Sequence, residues 1–335
     1  MNKKMVKIKE DLFRFTALRG IQAGREYYVV MCPLKLIPSI FVFNEQGIPA
    51  KLRSQRTLNK SRLPEITSYL INNKSDYVFS SITASIDGEI EFRPFGKEGI
   101  ASKMGELVVP MSARFLINDG QHRRKAIEEA LKSNPQLASE TISVVFYLDT
   151  GLKKSQQMFS DLNKHAIRPT KSLNILYNRR DKFSQTIIEL LNKVPIFDEI
   201  TELERTSISN RTCKVFTLNG VYSATKALLG KTKKNPTITK EEEELVVDYW
   251  NEVYNNIGEW QEIVANSVSP YEIRKNYVHV HGILLHALGL MGNSLIKTYP
   301  KTWKSKLELL NNIDWKKSNK MDWEGRAMIG GRLTK

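Results

Sequence analysis

The chain has 335 residues, enough for roughly two domains at about 100–200 residues each. Apolar residues make up 41% and charged residues 26%, which excludes a disordered or fibrous chain, and two cysteines, Cys32 and Cys213, exclude a disulfide scaffold or a Cys-rich zinc site. Lysine and arginine number 51 against 36 acids, and the net charge of +15 points to a polyanionic partner: DNA, RNA, a nucleotide or an anionic surface.

Residues 1–10 are basic with no apolar run behind them, so no secretory signal is expected. β-Branched and aromatic residues predict strands over 26–31 and 40–43. Leu63, Ile66, Tyr69 and Leu70 fall at helical spacing and predict a helix over 62–71. A strand over 76–86, a turn at Asp87-Gly88 and a return strand over 89–92 read as a hairpin. Short apolar strands follow at 107–110 and 115–117, then a helix over 123–131. A nearly all-apolar run over 141–148 predicts a buried strand, and 155–163 a helix. Beyond about residue 180 the strand signal fades. Helical patterns cover 181–194, 245–264 and 277–296. The carboxylates of Glu241 to Glu244, after Thr239, mark a helix start, because they complement the macrodipole. The most apolar stretch, 282–292, is about half of the ~20 residues that a membrane span needs. The expectation is a soluble, cytoplasmic α+β protein with no membrane partner. An N-terminal α/β domain would span 1–180, and a mostly helical domain, for DNA binding or oligomerisation, 181–335.

Chemistry concentrates in three segments. In the first, Phe115-Leu-Ile-Asn-Asp-Gly-Gln-His-Arg-Arg, a strand runs through a glycine turn into a helix. Such a junction turns free N–H groups and a positive dipole toward an anion. Asp119, Gly120, Gln121, His122, Arg123 and Arg124 are the candidate phosphate cradle, with the two guanidinium forks gripping in two places. Asp119 could cap the helix or hold a sugar hydroxyl or Mg²⁺. A plain capped helix with a solvated basic edge is the other reading. In the second segment, 51–62 carries five cations and no acid. Arg53, Lys60 and Arg62 there are candidates for DNA backbone contacts and Arg56 for phosphate; the alternative is a solvated helix face. In the third, Asp161, Asn163, His165, Arg168 and Lys171 crowd beside Pro169, and an Asp–Asn pair near cations suits metal and phosphate. Asp161 is the candidate Mg²⁺ ligand. The segment 217–229, flanked by Arg211, Lys214 and Lys226, is short enough for a recognition helix. The tail from Ile313 to Arg332 interleaves tryptophans, cations and glycines, either to touch DNA or to latch the C-terminus. Cys32 reads as an inert buried thiol, and His279, His281 and His286 as structural histidines.

Asp119-Gly-Gln-His-Arg123 resembles the signature of the DGQHR-domain family, which is related to the ParB and sulfiredoxin nucleotide-binding fold. Asp161-Leu-Asn163 to Arg168 resembles the ParB Glu-Asn-x-x-Arg box, with longer spacing. Four stretches resemble the DndB family of bacterial DNA phosphorothioation systems: Ala17-Leu-Arg19-Gly-Ile-Gln22-Ala-Gly-Arg25-Glu-Tyr-Tyr, Gln55-Arg56-Thr-Leu-Asn59, Phe159-Ser-Asp161-Leu-Asn163-Lys-His165-Ala-Ile-Arg168-Pro and Trp323-Glu-Gly-Arg326. The resemblance implies a ParB/sulfiredoxin-like first domain and a DNA-binding negative regulator of the modification genes. Its partners would be double-stranded DNA of its own promoter region and ATP with Mg²⁺, and it could form a homo-oligomer. ATP would modulate DNA release, with weak hydrolysis possible. The alternative is an ATPase or nuclease-like accessory enzyme.

Overall fold

A computed structural model describes residues 11–41, 60–148, 152–164, 169–209, 212–232 and 236–333. The chain divides into two compact units, Met1–Ile167 and Arg168–Lys335. The first opens with β1 (Leu12–Gln22) and β2 (Arg25–Pro33), an antiparallel hairpin turned at Ala23-Gly24, both at positive φ. Two helices follow, α1 (Ile37–Ile40) and α2 (Leu63–Asn72). Next come β3 (Ile82–Asp87), β4 (Glu91–Pro94), β5 (Met104–Pro110) and β6 (Arg114–Asp119). The unit ends with α3 (Gln121–Ser133), β7 (Thr141–Leu148) and α4 (Leu152–Lys164). The seven strands form one sheet in the order β4-β5-β1-β2-β7-β3-β6, antiparallel at every pairing except β3–β7. Alternation drives it: Phe15 and Ala17 of β1, Tyr28 and Val30 of β2, and Ile142, Val144 and Phe146 of β7 are buried, with more exposed residues between them. Phe115 packs 5.5 Å from Phe146 and meets Phe41 edge-on at 6.0 Å, and α3 adds Ala126, Ile127 and Ala130 to the same core.

Three expectations change here. The strand β1 carries no prediction in the sequence reading. The strand expected over 40–43 is replaced up to Ile40 by α1, where Pro38 presets a helical first turn; residues 42 and 43 lie outside the described residues. The 76–92 hairpin does not form. Instead β3, four of whose six residues are buried, pairs on both sides, with β6 and β7. The more exposed β4 goes to the sheet edge beside β5, where Arg93 pairs with Glu91 at 2.6 Å.

The second unit is mainly helical. It begins with α5 (Lys171–Tyr177), which packs on the next helices of this unit, α6 (Lys182–Leu191) and, after the two-residue strands β8 (Thr201–Glu202) and β9 (Phe216–Thr217), α7 (Leu218–Leu228). The sequence expectation puts the boundary at 180, C-terminal to α5. Then come α8 (Lys240–Asn255), α9 (Gly258–Val264), α10 (Pro270–Asn276), α11 (Gly282–Thr298), α12 (Trp303–Leu307) and α13 (Lys320–Trp323), and the small hairpin β10 (Met328–Ile329) and β11 (Arg332–Leu333). Phe183, Phe197, Phe216, Tyr249, Trp250 and Trp260 are fully buried at its centre. Helices α7 and α11 approach so closely that a Cβ on Gly289 would overlap the Ala224 carbonyl.

The helix start at Thr239 is a capping box with Glu242, whose carboxylate accepts from the Thr239 N–H at 2.9 Å. The single helical stripe expected over 245–264 is two helices, because Ile257 is extended and Asn256 turns its amide back to Glu252. The helix expected from Tyr277 begins only at Gly282. In the tail, Trp315 stacks on Trp323 at 5.5 Å, and Trp315, Ala327 and Met328 are buried, which is a latch.

Candidate functional site

Strand β6 is built irregularly where it matters. Thr83 of β3 pairs with Asp119 while Ala84 pairs with Ile117, so Asn118 is an extra residue, a β-bulge. The Asn118 side chain is fully buried. Its Nδ2 donates to Ser85 Oγ at 2.7 Å and lies 3.0 Å from Met158 Sδ of α4. Its Oδ1 has no hydrogen-bond partner among the described residues. Gly120 follows at φ +111°, where a Cβ would sit 3.0 Å from Ile82 Cγ1 and 3.1 Å from the Arg123 guanidinium. Glycine therefore permits both the left-handed turn and the close packing beneath it.

Gly120 is the N-cap of α3, and no side chain among the described residues caps that helix. The Asp119 carboxylate, expected as a possible cap, instead accepts from Arg123 Nη2 at 2.6 Å. The same Nη2 reaches the Ser81 carbonyl at 3.0 Å, while the buried Arg123 Nε has no partner among the described residues. Arg124 points elsewhere. Its Nε donates to Phe41 O at 2.9 Å, its Nη2 to Pro38 O at 2.8 Å, and its Nη1 to Glu128. The two forks expected to share one phosphate are therefore separated: Arg123 borders the turn, and Arg124 ties α1 to α3. Gln121 is buried and His122 half-buried beside the turn.

Helix α4 brings part of the third sequence segment to this junction through Met158. Asp161, one turn on, is exposed, and its Oδ1 accepts from Gln157 Nε2 at 2.7 Å. Among the described residues no group of three His, Cys, Asp or Glu side chains could hold a metal. Arg53, Arg56, Arg168 and Arg211, and the side chain of Asn163, lie outside the described residues.

A protein-family model described as DndB, DNA-sulfur modification-associated, matches residues 15–335. The chain belongs to the DndB family. Comparison with curated proteins and with solved structures finds no match. Family membership associates this DndB-family chain with DNA sulfur modification. Its remaining basic candidates have diverse settings. Lys60 and Arg62 are exposed in a tight helical turn ahead of α2, which packs along α3. Lys214 is half-buried and donates to the Glu199 carbonyl. Lys226, in the last turn of α7, donates to Thr232 O at 3.3 Å and borders a cleft of about 650 Å³ with Lys171, Tyr222, His286 and Asn293. In helix α7, Leu218, Val221, Ala224, Thr225 and Leu228 are buried and the other residues are partly buried. No helix among the described residues is long and apolar enough to cross a membrane.

Sequence reasoning passed over Asn118 and, in the second unit, Arg274, and took Lys317 only as one cation of the C-terminal tail. The signal for Asn118 was present: an amide inside the apolar run that leads into Asp119-Gly120.

Proposed function

We propose that this DndB-family protein is a cytoplasmic, DNA-binding negative regulator of a DNA phosphorothioate modification gene cluster, and that ATP modulates its hold on DNA. The β6–Gly120–α3 junction carries the reading. A helix N-terminus with no side-chain cap and a buried Arg123 Nε with no partner among the described residues, beside a left-handed glycine, are features a phosphate group satisfies. They support nucleotide phosphate as the ligand and a ParB/sulfiredoxin-like use of this unit. When bound, the nucleotide would bring negative charge to α3, with Gln121, His122 and Arg123 nearest the turn. Asp161 would supply one carboxylate to Mg²⁺, the remaining ligands being phosphate oxygens and water. In a chain of net charge +15, added negative charge weakens phosphate-directed DNA contacts, so ATP favours release.

Gel-shift titration on the gene's own upstream DNA, with and without ATP·Mg²⁺, tests this. Binding without nucleotide that loosens with ATP is expected. DNA nicking, or rapid nucleotide turnover without DNA affinity, would replace the regulator with an enzyme.

A further inference from the structure

The second unit encloses a different cavity, of about 510 Å³. Arg274, Lys275, Lys317 and His281 line it, with the hydroxyls of Ser207 and Tyr271, and among the described residues no carboxylate does. Arg274 is more than nine-tenths buried, yet among the described residues every hydrogen-bond partner of its guanidinium is a neutral carbonyl: Ser209 O at 3.2 Å, Thr212 O at 2.9 Å and Lys214 O. The Arg274 carbonyl in turn accepts from Lys317 Nζ at 2.6 Å and from His281 Nε2 at 3.1 Å. Neither Arg274 nor Lys317 has a carboxylate partner among the described residues.

This arrangement is electrostatically incomplete. Buried charges are ordinarily paired, because carbonyl dipoles replace hydration without supplying a countercharge. Burial holds the Lys317 ammonium below its usual range. Burial, and then the Lys317 charge, holds His281 at about 4. Helix α11 adds to the same field. It begins at Gly282 on the cavity wall, His281 gives it no side-chain cap, and a Cβ at Gly282 would meet nothing within 4 Å. The apolar Ile208, Val215 and Val280 complete the lining. A lining that mixes cations with apolar side chains, in about 510 Å³, suits a compact anion and has room for an organic group attached to it.

We propose that this cavity is an oxyanion site that takes a phosphate group, either as inorganic phosphate or carried by a small phosphorylated molecule. It is independent of the Gly120 junction. Lys317 and Lys275 would donate charge-assisted hydrogen bonds to the phosphate oxygens, with the α11 N–H groups, and Arg274 would supply fixed charge behind them.

Calorimetric titration of the full chain with inorganic phosphate and with adenosine monophosphate, at ionic strength held constant with chloride, tests it. Saturable binding is expected, weakened about tenfold or more by Lys317→Gln and unchanged by the surface control Lys304→Gln. Equal affinity for both ligands assigns the site to the free ion; tighter binding of the nucleotide assigns it to a phosphorylated small molecule. If Lys317→Gln does not fold, Lys275→Gln, at an exposed position, decides in its place with the same expected loss. The proposal is overturned if neither ligand binds saturably or if affinity survives both lysine substitutions. It is equally overturned if Arg123→Ala abolishes binding while Lys317→Gln spares it.

Discussion

Adjacent arginines on α3 have separate duties. Consecutive helical residues lie about 100° apart around the axis, so Arg123 falls beside the Gly120 turn and Arg124 toward α1. Arg124 is only 11% exposed and holds the carbonyls of Pro38 and Phe41. Arg124→Ala is expected to lower the unfolding free energy by about 1.5–3 kcal/mol, the range for hydrogen bonds to a charged group, while ATP affinity of the folded protein stays the same. Urea unfolding and calorimetry together check it; an unchanged midpoint with lost ATP binding would return Arg124 to the phosphate. In sequence the two arginines look equivalent, because nothing local records that α1 ends within reach of one of them. Cys32 was more legible: its apolar neighbours imply burial, and burial pushes the thiol up to about 12, which leaves it unreactive.

Among the elements, the stretch between α10 and α11 places His279 in the core of the second unit. Trp260 of α9 donates its Nε1 to His279 Nδ1 at 3.0 Å, and burial lowers the imidazole to about 3, with His281 a smaller cause. The Glu259 carboxylate, 3.7 Å from Nε2, is too far for a hydrogen bond and partly solvated, so burial prevails. The unfolded chain takes up this proton near pH 6.5, whereas the folded chain resists it until about pH 3. Stability is therefore unaffected above pH 6.5 and falls as pH drops through that window, by about 2 kcal/mol at pH 5. Urea titrations at pH 7 and pH 5 should show a smaller acid loss in His279→Gln than in the parent; equal losses would place the acid sensitivity elsewhere. Elements with a complete local signal were readable: β7 matches its expected bounds, and Thr239 announces α8 by its capping box. The β3–β4 hairpin was misread because turn chemistry at Asp87-Gly88 is local, while the choice between β4, β6 and β7 as partners depends on burial across the whole sheet. The bulge at Asn118 was invisible for a related reason, since a register shift belongs to two strands at once.

For the molecule as a whole, net charge is the property with the widest reach. If about 6–10 phosphates are contacted, DNA affinity is expected to fall by on the order of 10³–10⁵ between 50 and 200 mM salt, and fluorescence anisotropy across that range measures the slope. A flat plot of log affinity against log salt would remove DNA as the main partner. The strand order carries a consequence for biosynthesis. Strand β7 is the last of its sheet to leave the ribosome, yet it sits between β2 and β3 and joins them. Until it emerges, the nascent chain holds two separate half-sheets, β4-β5-β1-β2 and β3-β6, each with an unpaired apolar edge where β7 will insert. The first unit can therefore close only after residue 148 has been made, which exposes its early strands to misassociation and to chaperones for most of its synthesis.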